Sequence, residues 1–425
     1  MKKVLAMLLA ALMPCCTAAA AGAEDQVTLR FMWWGGDARH EATIQVIEKY
    51  MEAHPNVVIE PEFGGSDGYF EKLSTQLYSG TAADIIQCGT GWMPDFMQKG
   101  DFFVNFDEYR DKIDLTNFDE GYLQNTGVFE GKLVGLPTGV ASNTILVNTK
   151  LADELGLDYQ TQLTWDRMLE LGRQVQEKDA DKYLFNTDAK QIAYQIVRPY
   201  IMQLTGRPFI DNETGARSFD KDQLVEVLDF VRTCYDIKVF QPAEESAPFK
   251  DALNTNPKWI AGDFVMAHCV SSTITPLVSA YPDGVYDVIQ VPLKEDRLND
   301  GFYPNPPQLL VVSKNTKNVD VCMDFLNYFY NDPEAAVILR DHRSVPAVST
   351  ARQICVENNL IDPIVSKSVD ISMGLNGVNE MGLTTNSEVE AAILDMVENV
   401  AYGTRSTEEI ADETIQLLDD ILANL

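Results

Sequence analysis

The chain has 425 residues, and its 33 basic and 64 acidic side chains give a formal net charge of −31. This length exceeds what one ordinary hydrophobic core supports, so we expect two domains, or one domain wrapped around another. The acidic surface repels nucleic acid and anionic lipid, so we expect no nucleic-acid partner.

The first residues combine a basic tip with a short apolar run, which is typical of an export signal. The apolar run of "MKKVLAMLLAALM" is too short to span a bilayer. Ala21-Gly22-Ala23 fits a cleavage site, so we assign residues 1–23 to a signal peptide. Cys15 or Cys16 could instead carry a lipid anchor, and the sequence leaves this choice open. We therefore expect an exported protein in the periplasm or at the outer cell surface.

Strands and helices alternate quickly after the signal. Residues 29–34 are predicted to form a strand, Asp37 to cap a helix, and residues 57–63 to form a second strand. Asp67 is predicted to open the next helix, and residues 83–86 form a third strand. Such alternation predicts right-handed crossovers and a doubly wound parallel sheet.

Three glycine-rich loops follow these strands and carry aromatic side chains to one edge of the predicted sheet. In open α/β sheets, ligands bind beyond the carboxyl ends of the strands. Glycine lets the backbone turn tightly and lets a ligand approach it closely. We therefore predict a binding rim made by residues 33–36, 64–69 and 87–92.

The rest of the chain repeats the α/β pattern without a recognisable linker. Residues 132–156 predict a strand, a break, a second strand and a helix, and residues 164–176 predict a capped helix. Later short strands are predicted within residues 259–270, 287–292 and 309–312, and residues 406–425 form an amphipathic helix. The absence of a fixed repeat argues against a solenoid.

Motifs for common enzyme chemistry are missing from the sequence. It has no phosphate loop, dinucleotide fingerprint, nucleophile elbow or zinc helix. Its four histidines have no metal-ligand spacing, so we expect no metal, no cofactor and no catalytic residue. Because acidic residues are so numerous, a secreted glycoside-degrading enzyme with paired carboxylates stays open as the alternative. The five cysteines after the signal are too scattered for a disulfide scaffold, and we expect most of them to be buried.

Six blocks of sequence resemble, in order, the family 1 extracellular solute-binding proteins of carbohydrate ABC transporters. Maltose-binding protein is a distant relative in that family. The resemblance covers nearly the whole mature chain. The blocks are "LRFMWWGGDARHEATIQVIEKYMEAHPNVVI", "GGSDGYFEKLSTQLYSGTAADIIQ", "LPTGVASNTILVNTKLADELG", "TWDRMLELGRQV", "WIAGDFVMAH" and "NPPQLLVVSKNTKNVDVCMDFLNYFYNDPEAA".

The resemblance implies a two-lobe, periplasmic-binding-protein-like α/β fold of type II. Parallel-rich sheets flanked by helices would form each lobe, with a ligand cleft between the lobes and hinge motion that closes it. The implied first lobe is residues 24–140 plus 289–342, and the second is residues 141–288 plus 343–425. Crossing segments are expected near residues 138–142, 289–292 and 343–348.

The implied function is capture of a sugar or oligosaccharide and its delivery to the membrane permease subunits of an ABC importer. We expect a monomer. A polyol-phosphate-binding receptor of the same fold is a second alternative, although phosphate recognition favours a basic cluster and the predicted rim contains mainly Arg39. A receptor that signals to a membrane sensor also stays open.

Sugars present apolar C–H faces and directed hydroxyl groups, so ring faces and polar side chains are the expected contacts. One of two adjacent tryptophans on a strand must face the opposite side, so at least one belongs to the core. Helix capping is the alternative role for the two aspartates. The candidates are Trp33 or Trp34, Trp92 and Tyr69 for stacking, Asp37, Arg39, Asp67, Gln87 and Asn143 for polar contacts, and Ser271, Ser272, Tyr303 and Asn305 in the second lobe.

The sequence leaves the length of the ligand open. After the block that ends at His268, maltose-binding protein has an aromatic residue where this chain has residues 269–272, "CVSS". A shorter or differently shaped glycan therefore fits the sequence as well as a long, stacked oligosaccharide does.

Overall fold

The computed structural model describes residues 26–250, 252–380, 382–403 and 405–425. The predicted signal peptide and the anchor at Cys15 or Cys16 lie outside these residues. The strands are β1 (Val27–Trp34), β2 (Val57–Gly64), β3 (Ile85–Cys88), β4 (Val128–Phe129), β5 (Lys132–Leu133), β6 (Leu136–Pro137), β7 (Gly139–Val140), β8 (Thr144–Asn148), β9 (Tyr183–Asn186), β10 (Ile210–Asp211), β11 (Ala216–Arg217), β12 (Phe264–Cys269), β13 (Tyr286–Ile289), β14 (Leu309–Val312) and β15 (Val345–Pro346).

Helices flank these strands along the whole described chain. None of them is long and apolar enough to cross a membrane. They are α1 (Asp37–Ala53), α2 (Tyr69–Ser79), α3 (Met93–Lys99), α4 (Glu120–Gly127), α5 (Thr149–Leu155), α6 (Trp165–Lys178), α7 (Ala189–Ile192), α8 (Arg198–Thr205), α9 (Lys221–Asp236), α10 (Ala243–Ser246), α11 (Pro257–Ile260), α12 (Ser271–Ala280), α13 (Val319–Asn331), α14 (Pro333–Leu339), α15 (Ser349–Glu357), α16 (Pro363–Met373), α17 (Ser387–Ala401) and α18 (Thr407–Leu422).

The first sheet has five strands in the order β2-β1-β3-β14-β6. β1 runs parallel to β2 and β3, whereas β14 runs antiparallel to β3 and β6. Leu29, Phe31 and Trp33 point into one core cluster, while Met32 belongs to another on the opposite face. The sheet is therefore covered on both faces, as expected for parallel strands connected by helices.

The second sheet has four strands in the order β13-β8-β12-β9. β8 runs antiparallel to β12 and β13, and β9 runs parallel to β12. The carboxyl ends of β9, β12 and β13 therefore lie at the same edge as the start of β8. Together the two sheets confirm the predicted α/β architecture with flanking helices. Both sheets are mixed rather than parallel-rich, because β14 is antiparallel in the first sheet and β8 is antiparallel in the second.

Short extended segments connect the two sheets. β7 pairs with β15, so Val140 lies opposite Val345 and Gly139 opposite Pro346. Ala141 and Asn305 exchange two backbone hydrogen bonds, with N···O distances of 2.8 and 3.1 Å. These pairings tie the crossing strands to each other between the sheets.

The packing near residue 289 bears on where the predicted lobes divide. Val291, Leu293 and Phe302 lie in the core cluster of the second sheet, although the prediction put residues 289–342 in the first lobe. The chain turns back toward the first sheet only near Asn305, because the intervening segment packs against helix α8. The predicted boundaries all stay a prediction, and we propose that the second lobe extends to about residue 302.

Five cysteines lie among the described residues, and all five are buried and free. They pack as small apolar groups, which confirms the expectation that most would be buried. They are Cys88, Cys234, Cys269, Cys322 and Cys355.

Candidate functional site

Loops from both sheets meet at the crossing segments. Trp34 and Cys88 end neighbouring strands of the first sheet, and Leu309, which starts β14, lies opposite Cys88. In the second sheet, Thr144 at the start of β8 lies opposite Cys269 at the end of β12. Residues 141–143 lead into β8 and Asn305 precedes β14, so the bridge between Ala141 and Asn305 joins these edges of the two sheets.

A cavity of about 230 Å³ lies at this junction. Residues 141–143 and 301–305 form one side of it, and both segments belong to the chain that crosses between the sheets. Its polar walls are mainly amide, phenol and guanidinium groups. The polar side chains on these walls include Asn143, Tyr194, Gln195, Arg198, Tyr303, Asn305 and Glu380.

A π-helical turn shapes one wall of the cavity. Residues 193–197 form this turn between helices α7 and α8. Ile196 and Val197 are buried in the core of the second lobe, whereas Tyr194 and Gln195 are half-buried and line the cavity. Such widened turns are frequent at functional sites because they turn side chains away from regular helical positions. The turn here presents two consecutive polar side chains to the cavity.

A buried ion pair lies beneath this wall. Nε and Nη2 of Arg198 lie 2.8 and 2.7 Å from Oε2 of Glu380, and Nη1 lies 3.7 Å from Glu390. The guanidinium carbon also lies 4.8 Å from the ring centroid of Tyr194. Arg198 and Glu380 are 5% and 8% exposed, so the pair is shielded from solvent screening. The Oε1 atom of Glu380 is buried without a hydrogen-bond partner in the described structure.

Asn143 and Tyr303 hold the crossing segments together at the cavity. The Asn143 side-chain amide donates a hydrogen bond to the Tyr303 carbonyl at 2.8 Å, and its backbone N–H donates to Ser372 Oγ at 2.9 Å. The Tyr303 hydroxyl donates to Asn379 Oδ1 at 3.2 Å. Burial raises the pKa of Tyr303 to about 12, so the phenol stays protonated at neutral pH.

Aromatic rings form the rim on the first lobe. The Trp34 ring centroid lies 4.8 Å from that of Tyr69 and 5.2 Å from that of Trp92. Trp34 and Trp92 are half-buried, so each keeps part of its ring exposed. Arg39 supports this rim, because its Nη1 donates to the Trp34 carbonyl at 3.1 Å and its Nε donates to the His342 carbonyl at 3.1 Å.

Four of the predicted contact residues are buried and have partners inside the protein, and their role as ligand contacts stays a prediction. Trp33 and Tyr69 bond within the first lobe, whereas Gln87 and Ser271 bond to residues of the crossing segments. Trp33 donates to His40 Nδ1 at 3.0 Å, Tyr69 donates to the Met32 and Gln87 carbonyls, Gln87 bonds to Trp34 and Arg343, and Ser271 donates to the Val140 carbonyl.

The two predicted helix caps are wrong. Gly36 precedes helix α1, so Asp37 is its first residue and makes no capping bond. Gly68 precedes helix α2 with a φ of 70°, a left-handed conformation that glycine tolerates and aspartate disfavours. Asp37, Asp67 and Ser272 are exposed, and they stay predictions as contact residues. Asn143, Tyr303 and Asn305 line the cavity.

The sequence interpretation missed Tyr194, Gln195, Arg198 and Glu380. One signal for Arg198 was present, because it interrupts the apolar run "IVRPYI". A basic side chain in such a run must find a buried partner. No local pattern marks Glu380, which lies 182 residues further along the chain.

His268 lies near this site and should make stability depend on pH. Its ring is 7% exposed, and burial lowers its pKa from 6.5 to about 3. Below pH 6.5 the unfolded chain therefore binds a proton at His268 that the folded chain does not, so stability falls as the pH falls. Relative to His268→Gln, the wild-type protein should lose about 1.5 kcal/mol of unfolding free energy between about pH 6.5 and 5.

Urea unfolding of both proteins across this range measures the difference. The two curves should run parallel above about pH 7.5, where His268 is neutral in both states. Parallel curves down to about pH 5 would contradict the shifted pKa.

A family model described as bacterial extracellular solute-binding protein matches residues 36–336. A lactose-binding protein from Rhizobium radiobacter is 30% identical over 224 residues, which cover 51% of this chain and 49% of that protein. An arabinooligosaccharide-binding protein from Halalkalibacterium halodurans is 27% identical over 229 residues, covering 53% of this chain and 48% of that protein.

The fold is also similar to solved structures over nearly its full length. A periplasmic oligogalacturonide binding protein from Yersinia enterocolitica is 26% identical, with a TM-score of 0.78. The match covers 94% of this chain and 99% of that structure.

Proposed function

The chain belongs to the family of bacterial extracellular solute-binding proteins, and from this premise we propose that it captures a sugar or oligosaccharide in the cleft between its lobes. It would then deliver this cargo to the membrane permease of an ABC importer. Its curated relatives named above are binding proteins, which supports a role without catalysis. We propose that the exported protein acts as a monomer.

The observation that carries this proposal is the composition of the junction between the sheets. Asn143, Gln195 and Tyr303 supply directed donors and acceptors to the cavity. Trp34 and Trp92 keep part of their rings exposed where β1 and β3 end in the first sheet. A sugar needs both kinds of contact, since its ring faces are apolar and its edges carry hydroxyl groups. The names of the relatives support the same ligand class.

Closure would follow from how the two lobes are connected. The pairing of β7 with β15 and the bridge between Ala141 and Asn305 are short, so small backbone rotations there can change the angle between the lobes. A ligand favours the closed form only if it binds that form more tightly. A sugar that contacts both lobes meets this condition, and a permease can then distinguish the loaded protein.

We expect calorimetry with a panel of neutral sugars and oligosaccharides to find a ligand that binds and stabilises the protein. At a free ligand concentration of about 100 Kd, unfolding should cost roughly 2.7 kcal/mol more than without ligand. Small-angle scattering should give a smaller radius of gyration for the saturated protein. Failure of every sugar to bind, or superimposable scattering curves, would contradict the proposal. Turnover of a chromogenic glycoside would favour the enzyme alternative instead.

A further inference from the structure

A second cavity, of about 330 Å³, adjoins the first. The two cavities share Gln195 and Val270 in their walls. Phe302 lines the first cavity and packs nearly parallel to His268, which lines the second, with 18° between the ring planes. The walls of the two cavities therefore meet at Gln195 and Val270.

Three structural elements fix the polar groups of this second cavity. Gln191 lies on helix α7, and its backbone N–H donates a hydrogen bond to Oδ1 of the N-cap residue Asp188 at 3.0 Å. This bond does not use the side-chain amide of Gln191, which lines the cavity. Thr273 lies in the first turn of helix α12, and Asn254 lies in a short 3-10 turn. All of them surround the end of strand β12.

The chemistry of the walls suits an uncharged sugar ring. Among the described residues that line the cavity, the polar groups are amides, a hydroxyl and a neutral imidazole, and none carries a formal charge. Pro276 and Leu277 add apolar surface for C–H groups. Behind this wall, the Nε2 atom of His268 is buried without a hydrogen-bond partner in the described structure.

The first cavity also disfavours an acidic sugar. Arg198 is the one guanidinium on its described walls, and this group already pairs with Glu380 and Glu390. A carboxylate placed there would lie close to Glu380, whose Oε1 has no partner to neutralise it. An uncharged hydroxyl can donate a hydrogen bond to the same region without this repulsion.

We propose that the second cavity is a second sugar subsite, so that the physiological ligand is an uncharged glycan of at least two rings. This inference rests on the proposed function, because it takes the first cavity to bind the first ring. The two rings would lie on either side of Gln195, with the second ring hydrogen-bonded in the cavity that holds Gln191 and His268.

The test is calorimetry with a series of one, two and three rings of the same neutral sugar. We expect the two-ring member to bind about tenfold more tightly than the single ring, or better, because it fills both cavities. A gain of less than about tenfold overturns the second subsite. A uronic-acid member of the same length should bind at least about tenfold more weakly, and equal binding overturns the preference for an uncharged ligand.

A cavity-filling variant locates the effect. Gln191→Phe should reduce the gain from the second ring to less than about threefold, because the larger ring occupies the space that the sugar needs. Gln353→Phe makes the same change on an exposed face of helix α15 and should keep the full gain. Retention of the full gain by Gln191→Phe would overturn the proposal. If no carbohydrate of any length binds, the proposed function fails; binding that does not depend on length overturns only this inference.

Discussion

The double variant Trp34→Ala/Trp92→Ala is expected to bind its sugar at least about a hundredfold more weakly than the wild-type protein. The two rings lie 5.2 Å apart at the rim of the first lobe, and each is half-buried. Central aromatic residues of a binding site often contribute about 2 kcal/mol or more each, so removing both exceeds a hundredfold change in affinity. Calorimetry on the folded variant measures the loss.

The control for this variant is Tyr78→Ala. Tyr78 lies on helix α2 of the first lobe and is 53% exposed, so this change also removes an aromatic ring from the same lobe. We expect it to leave affinity unchanged. Wild-type affinity in the double tryptophan variant would exclude the rim from the site and restrict binding to the cavity walls.

The first sheet could be predicted well because its signals are local. The strand predicted at residues 29–34 forms within β1, and the loops at its end lie at the predicted edge. The choice between Trp33 and Trp34 could not be made in the same way. Both faces of the sheet are buried, with Phe31 on one side and Met32 on the other, so alternation of side chains does not show which face holds the ligand.

The helix starts show a second limit of local reasoning. Asp37 and Asp67 stand where capping residues are common, yet Gly36 and Gly68 precede the two helices. A glycine at the N-cap stabilises a helix only slightly less than a polar side chain does. The two aspartates are therefore not required as caps and lie exposed at the surface. Because a glycine cap and an aspartate cap differ so little in stability, the sequence pattern does not predict which of the two residues caps each helix.

The second lobe's part of the site depends on contacts between distant residues. Arg198 and Glu380 are separated by 182 positions, and the π-helical turn that presents Tyr194 inserts one residue into an otherwise regular helical period. Neither feature has a periodic signal. They appear only after helices α7 and α8 are packed against the segment near residue 380.

Arg198→Met is expected to reduce the free energy of unfolding by about 3–5 kcal/mol. Loss of the guanidinium leaves the Glu380 carboxylate buried without a positive partner, and an unpaired buried charge costs far more than an exposed one. The double variant Arg198→Met/Glu380→Met should recover most of this loss, because two apolar side chains can fill the same space without any charge. Urea unfolding of the single and double variants measures both effects.

Arg207→Met is the matched control in the same lobe. Its guanidinium pairs with Asp211 at 3.0 Å, but its side chain is 62% exposed, so its loss should cost less than about 1 kcal/mol. If Arg198→Met lowers the free energy of unfolding no more than Arg207→Met does, the buried pair does not hold the second lobe together.

If the double variant regains stability but not sugar affinity, the pair must be needed for the chemistry of the cavity in addition to folding. If the double variant regains both stability and sugar affinity, the ion pair contributes to folding alone, because an apolar wall then binds the sugar equally well.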